Sequence, residues 1–230
     1  MVIGAVQIIR NFLFSAMALL LMPCAGYSQE VGVDYDWKLK RDRDGIQIYL
    51  SSVPGSKFKA IRSVMQFQTQ TRSLVALVMD LPNCPNWAAM CKEARSTKYL
   101  SETESLIYTH NDLPFPVRDR DVFSLVKWSY EPHSGKVSMV SRAVDGEHPK
   151  NKGIIRIEKA VTQWHFTPLS DGDVLVESYA HVDPNGATPA WLTNLLMVDS
   201  PYKTMKNMRD ILQQGSYKDA QIAFLSTVTQ

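Results

Sequence analysis

The order of secondary structure along the chain is the feature that most constrains the fold. Between residues 93 and 183, six segments alternate apolar and polar side chains and are separated by Gly, Pro, Asp and Ser turns. Short connections of this kind favour an antiparallel meander. The next segment, TPAWLTNLLMVDSPYKTMKNMRDILQQG, has apolar residues three and four positions apart, so one face of a long helix must be covered. We therefore predict an α+β domain with an antiparallel sheet and a C-terminal helix whose apolar face packs on something apolar.

Local signals refine this outline at several points. Asp44-Gly45 is typical of a tight hairpin turn, and the helical pattern that begins at Thr71 ends before Pro82. Pro201 predicts a kink or restart in the terminal helix, and Gly215 predicts its end. In the segment after Gly153 the apolar parity changes, which predicts a β-bulge near residues 159–162.

The N-terminus has the pattern of an export signal. One Arg precedes an apolar run from Phe12 to Met22, and small residues follow it. We predict a signal peptide at 1–28, cleaved after Ser28, and an exported protein that is periplasmic or secreted. A retained anchor is the alternative, although the run is short for a membrane span. One domain is then expected at 31–215, with a loosely specified tail at 216–230.

Two cysteines, Cys84 and Cys91, remain in the predicted mature chain. An exported protein could pair them. However, PNWAAM between them has the pattern of a helical turn, and seven helical residues would separate the Cα atoms by about 10 Å, beyond disulfide reach. We therefore predict two small buried thiols.

The chemistry-bearing motifs of several enzyme classes do not occur in this chain. It has no G-x-S-x-G, no G-x-G-x-x-G, no P-loop and no H-E-x-x-H. Its five histidines lie far apart without metal-ligand spacing. A formal charge of +2 with scattered Lys and Arg gives no electrostatic footprint for nucleic acid. We therefore expect no cofactor, no metal and no nucleic-acid partner.

The stretch LPFPVRDRDVF, at 113–123, has an unusual density of charge ahead of a strand. From Arg120 onward, the even-numbered residues of that strand are more apolar than the odd-numbered ones. If the even-numbered side chains line the interior, Arg120 points inward with them. A buried guanidinium would need an acidic partner. A surface charge at a frayed strand end is the alternative interpretation.

Five short motifs together resemble the START family, the steroidogenic acute regulatory protein-related lipid transfer domains. Their order and spacing agree with the family over nearly the whole predicted mature chain. They are Trp37 with DGIQIY at 44–49, Trp87 with Lys92 and Glu93, PFPVRDRD at 114–121, WHFTP at 164–168, and DPNGATPAWL at 183–192.

This resemblance implies a helix-grip fold, in which a curved antiparallel sheet wraps around a long C-terminal helix and leaves an apolar tunnel. It implies a lipid or sterol-like ligand, with the 111–119 loop and the terminal helix as the movable cover that touches membranes transiently. It places Glu93 opposite Arg120, with Asp121 supporting the loop. A monomer is expected. The predicted ligand-binding residues are Glu93, Arg120, Trp87, Tyr108, His110, Val122, Trp128, Trp164, Trp191 and Leu195.

Three functions fit such a domain. The first is a carrier that shields a lipid-like molecule and transfers it without catalysis. The second is an enzyme of the helix-grip cyclase or aromatase type, for which Glu93, His110, Tyr108 and Tyr179 are the candidate acid-base groups. The third is a sensor whose terminal helix reports occupancy to a partner.

Overall fold

Ten strands form one sheet in the computed structural model, which describes residues 35–144, 148–187 and 189–226. The predicted export signal lies outside the described residues. The strands are β1 (Lys38–Arg43), β2 (Ile46–Ser52), β3 (Lys59–Phe67), β4 (Cys91–Tyr99), β5 (Glu104–Asn111), β6 (Arg120–Glu131), β7 (Lys136–Ala143), β8 (Ile155–Arg156), β9 (Lys159–Pro168) and β10 (Val174–Asp183). The strand order is β1-β2-β3-β10-β9-β7-β6-β5-β4 with antiparallel neighbours, and β8 pairs with β6 in parallel.

The helices pack on one face of this sheet, as predicted. The helices are α1 (Thr71–Met79), α2 (Cys84–Trp87), α3 (Ala190–Asn194), α4 (Ser200–Gln213) and α5 (Ala223–Ser226), with a 3-10 turn at Leu81–Asn83. A π-helical turn, Leu195–Asp199, joins α3 to α4. None of the described helices is long and apolar enough to cross a membrane.

The irregularity predicted in the terminal helix at Pro201 is present as the π-turn Leu195–Asp199, which directly precedes Ser200 and Pro201. Pro201 has no N–H to donate, and the Ser200 N–H donates to the Leu195 carbonyl five residues earlier. The helix resumes as α4 and ends before Gly215, which has a φ of +79°. Met205 and Met208 are fully buried in the core beneath the sheet. The terminal helix is therefore one continuous element with an extra residue in one turn.

The parity change after Gly153 has a different cause from the predicted bulge. Ile155 and Arg156 form β8 and pair with the start of β6, whereas β9 begins only at Lys159. From there β9 keeps a regular register with both β7 and β10. The parity changes because two separate strands meet there, so the prediction of a bulge is wrong.

The segment after Gly215 packs on the domain. The Tyr217 hydroxyl donates to Asp80 at 2.6 Å and accepts from the Asn83 side-chain amide at 2.7 Å. Ile222 is buried, and the Phe224 ring lies 6.1 Å from that of Trp128. The described part of the predicted tail, up to residue 226, is thus held by the core.

Cys84 and Cys91 form a disulfide, which contradicts the prediction of two free thiols. Their Cα atoms lie 5.9 Å apart. The helix α2 ends at Trp87, Met90 adopts a φ of +69°, and the Cys91 N–H donates to the Ala88 carbonyl. The sequence argument assumed a helix throughout, but a tight turn after one helical turn brings the two sulfurs together.

Candidate functional site

A cavity of about 450 Å³ lies between the inner face of the sheet and the terminal helix. Its lining is mostly apolar. An adjoining groove of about 510 Å³, called the outer groove here, lies between the β2–β3 connection and α3 and shares Phe58, Lys59, Thr193 and Met197 with the cavity. The deeper apolar wall includes Trp87, Met139, Trp164 and Met205.

Arg120 lines this cavity, as predicted, and only 2% of its surface is exposed. Its guanidinium donates to three backbone carbonyls: Pro184 at 3.2 Å, Arg118 at 2.6 Å and Asn185 at 3.2 Å. Burial lowers the pKa of Arg120, and the charge of Arg118 lowers it further. The side chain therefore joins the loop before β6 to the loop after β10, and it remains a cation among neutral partners.

Glu93 does not pair with Arg120, because the two side chains lie on opposite faces of the sheet. Cys91 pairs with Asn111, but Glu93 pairs with His110, so β4 carries one extra residue at Lys92. Without that bulge Glu93 would lie opposite Thr109, whose side chain lines the cavity. Instead its carboxylate is half exposed and accepts from the Arg95 guanidinium at 3.0 Å.

The buried ion pair of this region lies next to Arg120, on the outer face of β6. Asp121, which is 1% exposed, accepts from the Arg156 guanidinium at 2.6 and 3.2 Å. The Asn151 side chain donates to Asp121 at 3.0 Å and to the Tyr108 hydroxyl at 2.9 Å. The Arg156 guanidinium also lies over the Phe123 ring. Asp121 therefore holds the segment before β9 in place. The predicted role was support of the 111–119 loop.

Tyr108 and His110 do not line the cavity. They alternate with Thr109, so they lie on the outer face of β5. Burial raises the pKa of Tyr108, helped by the charges of Asp121 and Glu93.

His110 lies 2.8 Å from the Asp119 carboxylate. Asp119 also accepts from the Leu113 N–H at 3.2 Å and from Lys92 at 3.4 Å. Partial burial alone would raise the pKa of Asp119, but these hydrogen bonds together lower it below its usual value. The carboxylate therefore fixes the loop that precedes β6.

The remaining predicted site residues divide into two groups. Trp87, Val122 and Trp164 line the cavity. Trp128 stacks on Phe166 in the adjacent core, and Leu195 is not among the lining residues, because the neighbouring Leu196 and Met197 take that position. The side chain of Trp191 lies outside the described part of the structure.

A row of five hydroxyls crosses the cavity wall, and our sequence analysis missed it. This hydroxyl stripe consists of Thr109, Ser124, Ser141, Thr162 and Ser178, one each from β5, β6, β7, β9 and β10. Strand parity could have found it, because Ser124 alternates with Arg120 and Val122, and Thr162 alternates with Trp164. Among the described residues, no group of three or more His, Cys, Asp or Glu side chains could hold a metal ion beside the stripe.

In this fold an antiparallel sheet packs against a C-terminal helix, and an apolar cavity lies between them. This arrangement defines a helix-grip domain, as predicted. The START domain profile matches residues 27–216. The chain therefore belongs to the START domain family.

Similar proteins are found in bacteria and in humans. An uncharacterized protein of Pseudomonas aeruginosa is 34% identical over 179 residues, which cover 78% of this chain and 88% of that protein. The crystal structure of a STAR-related lipid transfer protein fragment from Xanthomonas axonopodis has a TM-score of 0.70 at 29% identity, covering 77% of this chain and 99% of that one. Human STARD10 has a TM-score of 0.67 at 22% identity, covering 83% and 77%, and supports the fold alone.

Proposed function

We propose that this protein binds one lipid-like hydrophobic molecule in the cavity and transfers it between membranes without transforming it. The mostly apolar cavity of about 450 Å³ between the sheet and the terminal helix carries this proposal. Small-molecule sites in proteins typically measure roughly 300–1,000 Å³, so the space suits a single ligand. The similar protein from Xanthomonas axonopodis is called a lipid transfer protein.

The chemistry of the cavity wall supports a carrier rather than an enzyme. The ionisable side chains among the described lining residues are Lys59 and Arg120, and neither is a carboxylate or an imidazole. The acid-base candidates Glu93, Tyr108, His110 and Tyr179 are not among the lining residues. A general acid or base must reach the reacting atoms, and none of these four lines the space in which a ligand would lie.

Membrane contact would occur at the end of the cavity where Arg120 joins two loops. Phe115, in the loop of residues 111–119, is 94% exposed and projects an apolar ring from a protein surface. The outer groove at the same end carries the exposed Lys57 and Lys59, which suit anionic headgroups. We propose that an exported monomer docks by this rim, and that the terminal helix and the 111–119 loop admit the ligand.

Filling the cavity tests the proposal directly. Ala180 lines the cavity on β10, so Ala180→Phe should remove most of the saturable uptake of a fluorescent fatty acid or sterol and slow its transfer between vesicles. Wild-type protein should bind about one molecule per chain. Titration and vesicle-to-vesicle transfer assays measure both quantities.

The matched control is Thr167→Phe, which places the same ring on the outer face of β9. It should leave uptake unchanged. Equal uptake by both variants would contradict the cavity as the binding site, and chemical conversion of a bound ligand would favour the enzyme.

A further inference from the structure

Two polar features of the cavity are not explained by the binding of a plain hydrocarbon chain. The first is Arg120, a buried cation at the rim whose contacts are three neutral carbonyls. A guanidinium has five N–H donors, so two remain without a partner in these contacts. An anionic oxygen is the strongest acceptor that such a group can take, and planar anions fit it with two hydrogen bonds.

The second feature is the hydroxyl stripe, which runs across the middle of the sheet wall. Ser141 lies directly opposite Thr162, and Ser178 lies opposite Trp164, two residues farther along β9. Neighbours related in this way are about 5–8 Å apart, so the hydroxyls form a continuous row. Ser124, which is 7% exposed, is part of it.

The hydroxyls of the stripe face the cavity and are not among the fully buried polar atoms without a partner in the described part of the chain. With the cavity open, they can bind water. An alkyl chain lying across them would exclude water and leave the hydroxyls unpaired, which disfavours binding. A ligand with its own oxygen at that depth would instead accept or donate hydrogen bonds there.

The spacing of the two features sets the shape of the ligand. Arg120 and Ser124 are four residues apart on the same face of β6, which corresponds to about 13 Å between their Cα atoms. The deeper wall beyond the stripe, at Trp87, Met139 and Trp164, is apolar. A ligand that fills the cavity would therefore contact Arg120 with one end, the hydroxyl stripe with its middle, and the apolar wall with its other end.

We propose that the ligand is an anionic amphiphile that carries a hydroxyl or keto oxygen near the middle of its apolar body. This inference rests on the proposed carrier function and specifies its ligand class. The anionic group contacts Arg120, the mid-body oxygen contacts the hydroxyl stripe, and the tail fills the deeper wall.

Four ligands of equal chain length test the proposal on the wild-type protein: stearate, its methyl ester, a mid-chain hydroxystearate, and the methyl ester of that acid. Each is used to displace a bound fluorescent fatty acid. We expect each acid to bind at least about tenfold more tightly than its ester, and each hydroxylated compound to bind several-fold more tightly than its plain counterpart. Octadecyl phosphate, run alongside, separates a carboxylate from a phosphate as the preferred anion.

Two matched variants assign the effects to residues. Thr162→Val keeps the side-chain shape, removes one of the five hydroxyls, and should weaken the preference for the hydroxylated ligand while keeping the preference for the acid. Thr167→Val makes the same change on the outer face of β9 and should alter neither. Arg120→Met should abolish the preference for the acid, and the ligand series on wild-type protein tests that preference even if this variant does not fold.

The outcomes separate this inference from the proposed function. Equal affinity of acids and esters would overturn the anionic end, and equal affinity of hydroxylated and plain compounds, or an unchanged preference in Thr162→Val, would overturn the mid-body oxygen. In both cases a cavity that still binds amphiphiles leaves the carrier function standing. If neither the anionic acids nor the neutral esters displace the probe, the proposed function itself fails.

Discussion

Arg120 and Asp121 are neighbours in sequence, are both almost fully buried, and meet opposite environments on the two faces of β6. Asp121 faces outward and is matched by the guanidinium of Arg156 and the amide of Asn151. Arg120 faces the cavity and is surrounded by the carbonyls of three residues that carry no side-chain anion toward it.

The difference shows how the same kind of buried charge can serve two purposes. A carboxylate paired with a guanidinium is electrically satisfied, so the outer pair can only hold the segment before β9 in place. Carbonyl dipoles stabilise the cation of Arg120 without cancelling its charge, so the inner residue can still attract an anion. The charges of LPFPVRDRDVF are therefore structural on one face and available to a ligand on the other.

The largest expected effect tests the outer pair. Asp121→Leu or Arg156→Met alone should lower the free energy of unfolding by about 3–5 kcal/mol, because each leaves a buried charge without its partner. The double variant should lie within about 1 kcal/mol of wild type. Denaturant midpoints across this cycle measure the coupling. Lys150→Met breaks an exposed pair with Glu158 and, as a control, should leave the denaturant midpoint nearly unchanged.

If both single variants lower the free energy of unfolding only slightly, Asp121 and Arg156 do not neutralise each other as a buried ion pair. The contrast with Arg120 then disappears. Ligand affinity should not change in any member of this cycle, because the pair lies on the face opposite the cavity.

A smaller effect is expected on the inner face. Arg120→Met should cost about 2 kcal/mol, because three buried carbonyls lose a donor while the cost of burying a cation is removed. Glu93→Leu should change stability by less than about 0.5 kcal/mol, and the two effects should add. Arg118→Met, at an exposed side chain whose carbonyl remains, is the matched control and should be neutral. If the stability changes of Arg120→Met and Glu93→Leu are not additive in the double variant, the two side chains interact, and the pairing that the β4 bulge excludes would have to be reinstated.

The smallest effect concerns Asp119, whose hydrogen bonds lower its pKa. A carboxylate with a folded-state pKa below its unfolded value of about 3.9 contributes stability above that pH and loses the contribution as pH falls toward the folded-state pKa. The stability difference between wild type and Asp119→Asn should therefore be constant from neutral pH to about pH 5 and shrink below about pH 4. Unfolding curves at several pH values measure this, and a difference that grows on acidification would contradict the assigned hydrogen bonds.

Much of the architecture was predictable from local rules. Asp44 and Gly45 both have positive φ, as their hairpin requires, and the apolar spacing of the terminal helix correctly placed Met205 and Met208 inward. The inward direction of Arg120 followed from the alternation of side chains along β6.

The errors arose where one residue changes the parity or direction of the chain. The bulge at Lys92 turned Glu93 to the outer face, and the left-handed backbone at Met90 brought Cys84 and Cys91 together. Neither has a signal in residue type alone, because Lys and Met are common in regular strands and helices. The short β8 likewise depends on a parallel contact with β6 that sequence alternation does not encode. Assigning faces from parity is reliable only between such irregularities.

The π-turn in the terminal helix bears on how this domain tolerates insertions and deletions. A π-turn holds one more residue per turn than an α-helix, so the extra residue within Leu195–Asp199 is absorbed in that turn and the helix after it keeps its rotational phase. Deleting one residue there should restore a regular α-turn and leave Met205 and Met208 facing the core, whereas inserting a further residue should rotate both by about 100°. The turn should therefore tolerate a one-residue deletion better than an insertion, and the exposed loop near Pro132 and His133 should tolerate both.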